Sequence, residues 1–101
     1  MIYNVISTQI VDGKRKEARA WALKIAAYNN KKFPGTNVQI LRNINGHQDR
    51  LHYIEIYESM GALEAADKEL ETDEGLLALL KEGEGLFVPG STERNMYQVL
   101  S

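Results

Sequence analysis

Two histidines, one mid-strand carboxylate and a set of aromatic and amide side chains are the residues of this 101-residue chain best suited to chemistry. His47 falls in the turn-forming stretch Asn45-Gly46-His47-Gln48-Asp49, where a solvated turn residue is the simple reading and a ligand or general base the sharper one. His52 sits on a strand that follows, and there a polar pair with Arg42 competes with a catalytic role. Two histidines, no cysteine and no His-x-x-x-His spacing make a poor donor set for zinc or iron, so neither a metal nor another cofactor is expected. Glu55 lies mid-strand, where a carboxylate needs a partner or must take up a proton; Arg94 or tyrosine hydroxyls are the candidates. Trp21 and Tyr28 share the inner stripe of a helix. Together with Asn4, Tyr57 and Phe87 they would line a pocket for a small aromatic molecule, although plain core packing is the simpler reading of Trp21 and Tyr28. The glycines form no phosphate-cradling loop, and no nucleophile-base-acid pattern is visible, so the catalytic residues stay unassigned.

The elements that must position these residues can be read from periodicity. Residues 2–10 alternate β-branched and aromatic types and predict a strand with useful side chains on both faces. Asp12 offers a helix N-cap, and Ala18, Trp21, Ala22, Ile25, Tyr28 and Asn29 recur at helical spacing until Pro34-Gly35 stops the run. Strands over about 36–44 and 50–58 form a hairpin. A symmetric closure on His47 would set Val38 opposite Ile56, Ile40 opposite Ile54 and Arg42 opposite His52. Ser59 can cap a second helix, Thr72 or Asp73 can restart it and Gly83 can end it. A strand over about 92–100 closes the chain. The order β-α-β-β-α-β predicts one α+β domain over residues 1–101, a ferredoxin-like four-stranded antiparallel sheet with the helices on one face.

Charge and composition exclude several classes. A net charge of −2 argues against nucleic acid as a partner, and no apolar run approaches the roughly 18 residues of a membrane helix. The opening residues carry no secretory signal pattern, and the absence of cysteine suits a reducing compartment, so a cytoplasmic location is expected. The charge is uneven: residues 1–50 sum to +6 and residues 51–101 to −8. Two helices of opposite sign lying side by side explain this simply; a docking surface for an acidic partner is the alternative.

The element order, the segment Tyr57-Glu58-Ser59-Met60-Gly61-Ala62-Leu63-Glu64-Ala65 and the closing Pro89-Gly90-Ser91-Thr92-Glu93-Arg94 resemble the dimeric α/β-barrel superfamily, near antibiotic-biosynthesis-type monooxygenases and NIPSNAP-like proteins. The resemblance implies a homodimer whose two sheets face each other, with any small-molecule pocket between helices and sheet. Monooxygenase-like members often place a tryptophan where this chain has Tyr57 and a histidine where it has Ala66, and these departures speak against haem. In the expected register Tyr53 and Glu55 join Tyr3 and Val5 on the helix-free face, as the dimer interface. The specific function stays open, with binding of a small aromatic or apolar molecule between helices and sheet as the first reading. The alternatives are a cofactor-independent monooxygenase on quinol-like aromatics and a non-catalytic interaction module.

Overall fold

The alternation at the N-terminus becomes β1 (Ile2–Gln9) in the computed structural model, which describes all 101 residues. The next helix, α1 (Arg15–Lys32), has no side-chain cap. Asp12, expected to cap it, instead occupies a tight turn closed by Lys14 N–H donating to Val11 O at 3.0 Å. Gly13 supplies the positive φ of +82° that this turn needs, and the helix starts only after it. Phe33 ends the helix by donating its N–H to Asn29 O, and Pro34–Thr36 form a single 3-10 turn. There follow β2 (Val38–Arg42), β3 (Arg50–Tyr57), α2 (Met60–Glu71), α3 (Glu74–Glu82) and β4 (Glu93–Gln98). Ser59 and Asp73 cap α2 and α3 by accepting from Ala62 N and Leu76 N, so the second helical stretch is two helices.

The sheet is antiparallel, in the order β2-β3-β1-β4, and gives a ferredoxin-like α+β architecture. The hairpin register differs from the symmetric expectation by one residue. Val38 pairs with Glu55, Ile40 with Tyr53 and Leu41 with His52. The loop closes asymmetrically, with Gly46 at φ +74° and Arg50 N–H donating to His47 O at 3.1 Å. A slip of one residue moves every side chain of a strand to the other face. Leu51, Tyr53, Glu55 and Tyr57 therefore face the helices, and His52, Ile54 and Ile56 lie on the helix-free face beside Tyr3 and Val5. Tyr53 and Glu55 do not share a face with Tyr3 and Val5. The apolar pattern misled because β3 carries large apolar residues on both sides.

The core falls into two clusters. Ile10, Ala18, Ala22 and Leu51 pack at one end with Trp21, Ile40, Leu86 and Phe87 around them; Ile2, Tyr57 and Leu63 pack at the other. On α1 the buried positions Ala18, Ala22, Ile25, Ala26 and Asn29 follow helical spacing, and the three alanines let the helix lie close to the sheet. Against α1 packs α3, through its Gly75 and through Gly83, the residue that ends it. A Cβ at Gly75 would overlap the Tyr28 ring, and one at Gly83 would overlap the Trp21 indole. Trp21 cannot swing away freely, because its Nε1–H donates to Leu79 O at 2.7 Å. The Asp73 carboxylate accepts from Tyr28 OH at 2.5 Å and pairs with Lys32, which holds its pKa down at about 2 and raises that of Lys32. Gly83→Ala should overpack this contact and cost about 1–3 kcal/mol, lowering the thermal midpoint by about 4–8 °C per kcal/mol in a calorimetric scan; an unchanged midpoint would refute the close approach.

Candidate functional site

Between the two core clusters the helices and the sheet leave a cavity of about 360 Å³. Its walls are apolar: Trp21, Ala22 and Ile25 come from α1, Leu70 from α2, Leu76 and Leu80 from α3, and Phe87 from the loop before β4. That loop is fixed by extended pairing, with Val88 N–H donating to Gln9 O and Val11 N–H to Leu86 O, which sets the Phe87 ring edge-on to Trp21 at 5.5 Å. Asn29, also a wall residue, sits at the buried end of the α1 stripe.

The floor is polar and ordered. Glu55, only 4% exposed, accepts from Asn4 Nδ2 at 2.8 Å on one carboxylate oxygen and from Tyr53 OH at 3.0 Å on the other. Asn4 is oriented from behind, because its Oδ1 accepts from Arg94 Nε at 3.0 Å and a guanidinium can only donate. Tyr53 OH in turn accepts from Asn29 Nδ2 at 2.8 Å, so its own proton points to Glu55. Burial and then the Glu55 charge push the Tyr53 hydroxyl far above the usual tyrosine range, which keeps it a donor. Tyr57 is raised for the same two reasons in the same order, and its buried hydroxyl has no hydrogen-bond partner. At the mouth Arg94 lies 3.7 Å from Asp67, with Thr92 beside them on the lining.

Of the residues proposed as pocket lining, Asn4, Trp21 and Phe87 meet in this cavity, whereas Tyr28 and Tyr57 do not line it. Tyr28 is engaged with Asp73, and Tyr57 packs with Ile2 and Leu63. Tyr53 and Glu55, proposed for the dimer contact, are cavity residues; Tyr3 and Val5 lie on the opposite face. The one-residue register slip hid the first two, and the part played by Asn29 and Arg94 was carried by no local motif. His47 is exposed on its loop, and His52 bonds Ser7 Oγ and Asn43 Oδ1, each at 2.7 Å, on the helix-free face. Burial, and secondarily Arg50, lowers the His52 pKa. No group of three or more His, Asp or Glu side chains is arranged to hold a metal ion.

With this geometry established, the chain can be compared with known proteins. Neither a protein-family model nor a curated protein matches its sequence. Solved structures do match. A NIPSNAP domain protein from Burkholderia xenovorans superposes with a TM-score of 0.81 at 12% identity, covering 98% of this chain and 94% of that one. A protein from Nitrosomonas europaea, named as a candidate antibiotic biosynthesis monooxygenase, gives 0.77 at 16% identity over 100% of both chains. A NIPSNAP family protein from Agrobacterium tumefaciens gives 0.78 at 15%, covering 96% and 90%. The likeness is one of fold. At these identities it carries over the ferredoxin-like architecture and leaves the residues of the cavity to be argued on their own chemistry.

Removing the Tyr53 hydroxyl deprives Glu55 of one donor and Asn29 of its acceptor. Tyr53→Phe should therefore destabilise the fold by about 1–3 kcal/mol, read as a lower urea midpoint. A variant as stable as the parent would show that the floor network is not held as described.

Proposed function

We propose that this chain is a homodimeric α/β-barrel protein that binds a small, partly aromatic, largely apolar molecule between its helices and its sheet. The observation that carries the reading is the cavity itself. Native interiors are close-packed, with few voids larger than a water molecule, and a space of about 360 Å³ is of the size of a small-molecule site. Apolar walls with a few convergent polar groups at one end are the usual composition of such sites. A second reading, an oxygenase acting on a quinol-like aromatic without a cofactor, draws support from the name of the Nitrosomonas europaea protein. A carboxylate at the cavity floor, able to take a hydroxyl proton, supports it too.

The dimer rests on the helix-free face. Tyr3, Val5, Ile54 and Ile56 are adjacent across β1 and β3, and Leu41 and Tyr97, 43% and 56% exposed, extend the patch onto both edge strands. A contiguous apolar patch of this kind is seldom left in water by a monomer. A second copy packed about a two-fold axis would cover it, with the same residues on both sides.

Two measurements test the proposal. Calorimetric titration with 2-naphthol should give saturable binding at one site per chain, abolished by Ala22→Phe, which puts a ring into the cavity; binding that survives that substitution would exclude this site. Light scattering should find a dimer at micromolar concentration, and Ile54→Lys, which sets two desolvated like charges in the contact, should yield monomer. A monomeric parent protein would overturn the assembly.

A further inference from the structure

The floor of the cavity holds a buried carboxylate with no cation beside it: its neighbours are the neutral amide of Asn4, the Tyr53 hydroxyl and the unpartnered Tyr57 hydroxyl. A carboxylate offers about four lone-pair sites, and Glu55 receives two hydrogen bonds, from Asn4 and Tyr53. Both donors are themselves oriented by further groups, Arg94 and Asn29, so neither can turn to offer more. No lysine, arginine or histidine forms an ion pair with Glu55. The one cation on the lining, Arg94, is directed at Asn4 and Asp67. With Glu55 and Asp67 against Arg94, the lining carries a net charge of −1 when its carboxylates are ionised. A second observation points the same way. Asn29, 2% exposed and on the same lining, donates one of its two amide hydrogens to Tyr53 and keeps a buried Oδ1 with no partner. A buried charge and a buried carbonyl oxygen left short of donors are both costly.

We infer that the molecule bound here is a hydrophobic amine, its ammonium group seated at Glu55 within reach of the Asn29 side and its aryl or alkyl body against Trp21 and Phe87. This inference rests on the reading of the cavity as a small-molecule site. An ammonium brings three donors and one positive charge, which is the complement of the floor. A phenol brings one donor and no charge, and a carboxylate brings only further acceptors.

The test compares three probes of one shape on the whole protein by calorimetry: 2-phenylethylamine, 2-phenylethanol and 3-phenylpropanoate. The amine should bind about ten- to a hundredfold more tightly than the alcohol, the range expected of a hydrogen bond to a charged group, and the acid most weakly. Glu55→Gln, which keeps the shape and removes the charge, should erase the preference for the amine, which then binds no more tightly than the alcohol. In the parent protein the backbone amide signals of Asn4, Tyr53 and Glu55 should shift most on adding the amine, which locates the ammonium without any variant. Equal or tighter binding of the alcohol or the acid would overturn the amine assignment while leaving the cavity as a binding site. An amine preference that survives Glu55→Gln would also overturn it. Failure of all three probes while 2-naphthol binds would overturn the amine assignment alone, and failure of 2-naphthol as well would remove the cavity reading.

Discussion

A carboxylate buried in the centre of a sheet imposes conditions on everything around it. Glu55 sits on β3, an inner strand, and faces the helices rather than water. Breaking the hydration of such a group without replacement would cost several kcal/mol or more. The replacement is a chain of polar groups drawn from four elements: Arg94 of β4, Asn4 of β1, Tyr53 of β3 and Asn29 of α1. Each is oriented by the next. The sheet order places β1 between β3 and β4, so Asn4 can reach Glu55 on one side and Arg94 on the other. A network of this kind ties the edge strand β4, whose residues are all exposed, to the middle of the protein.

The cavity follows from the sizes of the side chains that surround this network. Three alanines on the buried stripe of α1 bring that helix close to the sheet, and Gly75 of α3 with Gly83 just after it bring α3 close to α1, so the helical layer is tight at one level and open at another. Large side chains from all three helices and the loop before β4, among them Trp21, Ile25, Leu70, Leu76 and Phe87, surround the space without filling it. An empty apolar space lowers stability in proportion to its volume. Its presence beside a buried carboxylate with no cation is what gives the site a chemical character, and not merely a shape.

The uneven charge of the chain resolves in part into contacts between helices. Lys24 of α1 meets Glu82 of α3 at 3.1 Å, and Lys32 pairs with Asp73 at the start of α3. The first of these pairs is exposed on both sides and contributes little to stability. Two lysines of α1 therefore meet acidic residues at the two ends of α3, while Lys14 and Arg15 pair with Glu17 and Asp49 of their own half.

Element order, fold class and most element boundaries were legible in the sequence, because they depend on local signals: alternation in β1, a 3.6-residue repeat in α1, a serine and an aspartate placed to cap α2 and α3. Asn4, Trp21 and Phe87 could be grouped as candidates since each lies on a predictable inner face. What only the tertiary structure decided was the hairpin register and all that depends on it. β3 carries large apolar side chains on both faces, so its pattern does not distinguish one register from the next, and the choice was made by an asymmetric loop around Gly46. That choice turned Tyr53 and Glu55 inward and Ile54 and Ile56 outward. The pairing of Arg94 with Asn4 and of Asn29 with Tyr53 joins residues 90 and 24 positions apart, and no local pattern encodes such a meeting.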